Sequence, residues 1–144
     1  MKRFTKCLCL ILALSLVLAI PVSAQEATTP YSSSFFMSRA AYLWRTSSTS
    51  FQVWFEITAV RGMQELGVKY IDIERSSDGV NWSVVKTYDR SSYSNLIVYN
   101  TANHCSYVTY NDVQSGYQYR AYVHFYAKDS TGSATSGKLA YFSN

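Results

Sequence analysis

Residues 117–128 read Tyr-Gln-Tyr-Arg-Ala-Tyr-Val-His-Phe-Tyr-Ala-Lys. Tyr117, Tyr119, Ala121, Val123, Phe125 and Ala127 are apolar or aromatic at every second position, while Gln118, Arg120, His124 and Lys128 between them are polar or charged. Successive side chains of a strand point to opposite faces, so a period of two predicts one long β-strand with a core face and a wet face. The wet face also carries Tyr122 and Tyr126. Two such rings among solvent-facing positions are the first pointer to a binding surface.

Working outward, Phe51, Val53, Phe55, Ile57 and Ala59 alternate with Gln52, Trp54, Glu56 and Thr58, which predicts a second half-buried strand. Lys69 to Arg75 alternates again, with Ile71 and Ile73 inward and Tyr70, Asp72 and Glu74 outward. Ser76-Ser77-Asp78-Gly79 supplies a turn into a returning strand from Trp82 to Tyr88, since Gly79 can take positive φ. Arg61 to Gly67, with two glycines around Met63 and Leu66, reads as a loop that tucks those two side chains under the sheets. Ala40–Arg45, Leu96–Tyr99, Ser106–Tyr110 and 135–142 add further short strands, and no segment has helical periodicity. Seven to eight short strands joined by turn-rich loops predict an all-β, two-sheet antiparallel β-sandwich.

The N-terminus opens with Lys2, Arg3 and Lys6, continues as an apolar run from Cys7 to Val22, and reaches Val22-Ser23-Ala24. This is the pattern of a secretory signal peptide, 1–24, cleaved after Ala24. The expected organisation is that leader, a flexible polar stub over 25–37, and a β-sandwich domain over 38–144, secreted and free of the membrane once the leader is removed. The leader holds three of the 13 basic residues and none of the 9 acidic ones, so its loss takes the net charge from +4 to +1. No electrostatic case for nucleic acid remains. Cys7 and Cys9 leave with it, so Cys105 stands alone and the domain must rest on its hydrophobic core. A lone thiol in an oxidising compartment is expected to be shielded, and the protein a monomer rather than a dimer.

Val113-Gln114-Ser115-Gly116-Tyr117-Gln118-Tyr119 resembles the approach to the sixth strand of fibronectin type III domains, where an apolar residue, a Pro-Gly pair and a tyrosine follow at this spacing. The resemblance implies an immunoglobulin-like sandwich with Tyr119 as its tyrosine corner. It extends to Phe51, Val53 and Phe55 as second strand, to Ile71, Ile73 and the following hairpin as third, and to 129–136 as the final turn. Ser115 replaces the proline, Phe55 stands where those domains carry tryptophan, and residues 91–103 leave room for a strand that they lack. A broader immunoglobulin-like sandwich is therefore the competing assignment. The whole chain is also similar to short secreted bacterial proteins made of a signal peptide and one such domain, a likeness that carries no activity.

Little in the chain looks catalytic. Ser76 to Trp82 is similar to the aspartate box of sialidase propellers but one residue short, and no acid and nucleophile pair accompanies it. His104, Cys105 and His124 are the only soft ligands after the leader, too few and too scattered for a zinc site. Adjacent strand residues point to opposite faces, which separates His104 from Cys105. The expectation is a non-catalytic module without a cofactor, whose ligand is a glycan or a protein at or near the cell surface. A self-associating surface protein and a small secreted hydrolase are the alternatives. The fibronectin-like topology would set the 69–75 strand beside the long one, and Tyr70, Tyr122, His124, Tyr126 and Arg120 would then share an exposed face as the candidate binding residues. Cross-strand pairs of this kind also stabilise a bare sheet, by about 0.2–1 kcal/mol each.

Overall fold

The computed structural model describes residues 34–143. The signal peptide and residues 25–33 of the stub lie outside the described residues. Six antiparallel strands are present: β1 (Phe36–Arg45), β2 (Phe51–Ser76), β3 (Ser83–Asp89), β4 (Ile97–Tyr110), β5 (Gln118–Asp129) and β6 (Gly132–Ala140). A 3-10 turn, Ser94–Leu96, precedes β4. β1 starts at Phe36, inside the stretch read as stub.

All six strands belong to one strongly curled sheet, which corrects the expected two-sheet sandwich of seven to eight strands. The cause lies in β2, which runs unbroken for 26 residues through the segment read as a loop. Its first half lies between β1 and β4, and its second half between β5 and β3. One strand thus replaces the two strands and the connection that a sandwich would need.

A strand can wrap a core only if it rephases as it bends, and β2 does so twice. Phe51, Val53, Phe55, Ile57 and Ala59 are buried in strict alternation, but the inward positions then become Met63, Leu66 and Val68, and afterwards Ile71 and Ile73. Two register shifts accompany the bends: one between Thr58 and Met63 against β4, just before the inward parity changes between Met63 and Leu66, and one between Val68 and Tyr70 against β5, at the second change. At the first, residues 59–62 of β2 stand opposite the single Ala102, a bulge that turns the strand while keeping its apolar face inward. Gly67, with φ +150, lies in the second bend, and a Cβ there would collide with the Leu96 carbonyl oxygen. Only glycine fits both constraints.

The two short strands expected at 96–99 and 106–110 are likewise one strand, β4. Asn100 takes φ 55 without ending it, since asparagine tolerates the left-handed region. The core ties the ends of the curl together. The Phe51 ring, at the start of β2, lies 5.3 Å from Tyr110, 5.7 Å from Tyr119 and 5.4 Å from Phe142. Tyr119 pairs with Arg75 near the far end of β2, so the two ends of one strand meet across the interior. Each fully buried large side chain here contributes about 1.5–3 kcal/mol relative to exposure.

One side of the curl is stitched shut. Leu43 N–H donates to the Tyr141 carbonyl at 2.8 Å and Ser143 N–H donates to the Leu43 carbonyl at 3.1 Å, joining β1 to the chain after β6. The other side, between β3 and β4, stays open. The bend itself is pinned from outside, where Arg61 in the first bulge pairs with Asp129 at the end of β5.

Candidate functional site

β2 and β5 pair as the alternation requires, with Tyr70 opposite His124, Asp72 opposite Tyr122 and Glu74 opposite Arg120. These residues do share the outer face, but they are engaged with one another. The His124 ring stacks on Tyr70 at 3.8 Å and meets Tyr122 edge-on at 4.5 Å. The Tyr122 phenol lies over Gly137 of β6, where any Cβ would collide with it. Arg120 is ion-paired with Glu74, and its guanidinium sits 4.2 Å above the Trp82 ring. Tyr126, expected on the exposed face, is buried: it is 6% accessible, with the Lys69 ammonium and the Arg90 guanidinium 4.8 Å and 4.9 Å from its ring. Burial lowers the pKa of His124, an effect reinforced by Lys69 and opposed by Asp72, so the ring is neutral at neutral pH. The cluster is tied together across strands around β2's second half.

Tyr119 is buried, and its phenol oxygen accepts a hydrogen bond from the Gln114 backbone N–H at 2.9 Å, five residues upstream. That contact fixes the approach to β5 within a curled sheet. Tyr117, counted among the core-facing residues by its period, lies just before β5 and is exposed, with Arg75 4.4 Å above its ring.

His104 and Cys105 point apart. The His104 ring packs 5.3 Å from Phe55 and its Nε2 lies 2.8 Å from the Asn95 carbonyl, while Cys105 is exposed, not shielded as expected. The parity of β4 explains this, because Val108 and Tyr110 face the core and the odd-numbered positions face out. Among the described residues, no group of three His, Cys, Asp or Glu side chains is placed to hold a metal ion.

The larger aromatic feature lies on the other half of the sheet, where the pattern Tyr42, Trp44 and Trp54 gave no sign of a site. Tyr42 of β1 stands opposite Trp54 of β2, which stands opposite Tyr107 of β4. The parallel bridge between Leu43 and Phe142 sets Tyr141 beside Tyr42 on the same outer face. Four rings therefore form one lateral row across four neighbouring chain segments. Tyr141 is 54% exposed, Tyr42 41% and Tyr107 42%, and Trp44 in the adjoining row is 56% exposed. Trp54 and Tyr107 stack at 4.6 Å, and Gln52 orients the indole by accepting its N–H at 2.9 Å. Tyr42, Trp44 and Tyr141 have no ring partner among the described residues.

Each end of the row opens into a concavity. At the Tyr107 end lies the open side of the curl, a cleft of about 660 Å³ between β3 and β4 walled by Tyr88, Tyr93, Tyr107, Tyr110 and Asn95. The free edge of β4 is covered there by side chains in place of a strand: Tyr88 donates to the Thr109 carbonyl at 2.7 Å and Asn95 to the Tyr107 carbonyl at 2.8 Å. Burial, with Tyr93 and Tyr110 beside it, pushes the Tyr88 phenol up to about 12, so it stays a donor. At the Tyr141 end lies a smaller pocket of about 350 Å³. Set against protein-family models, curated proteins and solved structures, the chain matches none of them.

Proposed function

We propose that this chain is an exported, non-catalytic carbohydrate-binding module whose ligand lies along the Tyr141–Tyr42–Trp54–Tyr107 row. The carrying observation is the row itself. A sheet gains a few tenths of a kcal/mol from a cross-strand aromatic pair, which accounts for Trp54 on Tyr107 but not for three further exposed rings in and beside the row. Contiguous exposed aromatic surface marks a binding face. Its neighbours on β2 and β4 are Gln52 and Thr109 on one side and Glu56 and Cys105 on the other, with Thr58 and Asn103 beyond, and the amides and hydroxyls among them suit a ligand rich in hydroxyls with apolar ring faces. The leader read at 1–24 supports a location where polysaccharides are met.

The test is affinity electrophoresis of the exported protein through gels containing a panel of soluble polysaccharides. Tyr42→Ala and Trp54→Ala should each weaken retardation about tenfold, as aromatic anchors worth 1–3 kcal/mol do, with little change in melting temperature for Tyr42→Ala. Unchanged retardation in both variants, or retardation by no polymer, would defeat the reading.

Self-association is favoured by one observation, the exposed Cys105 in the row next to Tyr107. A non-reducing gel showing a dominant covalent dimer would move that reading ahead. The edge of β6 argues against strand-to-strand assembly, since Lys138 occupies it and donates to the Arg39 carbonyl at 3.1 Å.

A further inference from the structure

We infer that the ligand is an acidic polysaccharide, and that the guanidinium of Arg45 receives a sugar carboxylate in the pocket at the Tyr141 end of the row. This rests on the carbohydrate reading above and specifies its ligand class. The pocket is lined by Arg45, Trp82, Tyr117, Gln118, Tyr141 and Phe142. Tyr141 belongs both to it and to the aromatic row, so a chain lying on the row runs into the pocket. At about 350 Å³ it is at the small end of ligand sites, the size for one ring rather than an extended segment.

The charge of the pocket is what selects an acid. Arg61, Arg90 and Arg120 are ion-paired with Asp129, Glu65 and Glu74. Arg45 is held differently: its guanidinium lies 4.8 Å over the Phe142 ring, and among the described residues it has no carboxylate within ion-pair distance and no hydrogen bond. The ring holds the guanidinium in place while its N–H groups have no acceptor among the described residues, and a carboxylate can take two of them through parallel hydrogen bonds. Two more cations back the pocket walls, Arg75 over Tyr117 at 4.4 Å and Arg120 over Trp82 at 4.2 Å. Glu74 offsets Arg120, but Arg75 is held only by the neutral Gln114 amide, at 2.7 Å. The Asp78 carboxylate of the neighbouring hairpin does not compete for these groups, since it accepts from the N–H groups of Val80 and Asn81, the Asn81 amide and the Ser76 hydroxyl. A neutral sugar would leave the Arg45 donors to water, whereas a carboxylate uses them.

The experiment compares polygalacturonate and alginate with their carboxyl-reduced forms, which keep a sugar backbone and lose the charge. The protein should bind the acidic polymers at least tenfold more tightly, and the preference should shrink as salt is raised. Arg45→Ala should abolish the preference while leaving the weaker binding of the reduced polymers unchanged, and Arg45→Lys should restore only part of it. Arg45 is exposed, so both variants should keep the wild-type melting temperature. Equal binding of acidic and reduced polymers, a preference that survives Arg45→Ala, or no binding to either acidic polymer would overturn the inference. The carbohydrate reading fails separately: it falls if Tyr42→Ala and Trp54→Ala leave the binding of every polymer unchanged, and it stands if they weaken acidic and reduced polymers alike.

Discussion

Replacing Gly67 by alanine tests the bend that turns one strand into a curled sheet. Gly67 has φ +150, and its added Cβ would collide with the Leu96 carbonyl oxygen and lie 3.1 Å from the Ile97 Cα. Both obstacles are backbone, so no side chain can rotate away. Forcing a side chain into that backbone region costs about 1–3 kcal/mol, and the overpacking at the start of β4 costs roughly another 1–3. The sum, about 2–6 kcal/mol, is a large part of the 5–15 kcal/mol that holds a domain of this size together. Gly62, in the same strand, is the control: it has no positive φ and nothing within 4 Å of the added methyl. Gly62→Ala should be neutral or stabilising by about 0.4–1 kcal/mol. In urea unfolding followed by tryptophan fluorescence, Gly67→Ala should lower the midpoint by at least about 1 M while Gly62→Ala leaves it in place or raises it. If the two variants shared a midpoint, residues 61–67 would be the permissive loop that their composition suggests, and the continuous β2 would be wrong.

Two further predictions concern pH. The Asp129 carboxyl is held down at about 2 by the Thr131 hydroxyl first, then by Arg61, with the Thr131 N–H assisting, so its contribution is present above about pH 4 and is lost as pH falls toward 2; Asp129→Asn should flatten that part of an acid-unfolding curve, and an unchanged curve would show that the β5–β6 turn does not depend on the charge. His124, facing Asp72 and Lys69 from β2 and Tyr122 from its own strand, is kept neutral mainly by burial. Its unfolded form takes up a proton near pH 6.5 while the folded form resists, so stability should decline as pH drops from 7 through 6, and His124→Phe, which keeps the stack on Tyr70, should remove part of that decline; His104, also lowered by burial, should account for the remainder.

How much of this was legible beforehand follows from how local each signal is. The facing of residues 51–59, 71–73 and 119–125 could be read from a period of two because pleating is a property of the strand alone, and a shared outer face for Tyr70, Tyr122 and His124 followed from setting the third and long strands side by side, but the register that pairs Tyr70 with His124 did not. The path through 61–67 could not. A bulge of four residues against one leaves 60–62 facing out, and the inward parity then changes between Met63 and Leu66, which together destroy the alternation that identifies a strand, so two glycines around Met63 and Leu66 look like a loop whether the chain turns back or bends onward. The same blindness split β4 at Asn100.

Strand content, most of the apolar set that fills the core, and the outer position of Tyr70 and Tyr122 were therefore contained in the residue order, since each depends only on a side chain's place along its own strand. Whether those strands form two sheets or one, and which outer rings stand free, depends on contacts between residues far apart in the chain. Tyr70, Tyr122 and His124 pack on one another because β2 and β5 lie edge to edge. Tyr141 and Tyr107 are 34 residues apart, yet they end one aromatic row, because Leu43 bridges to Phe142 on one side and Trp54 meets Tyr107 on the other. No pattern within either segment records that neighbourhood, because it arises only when the curl closes at Leu43.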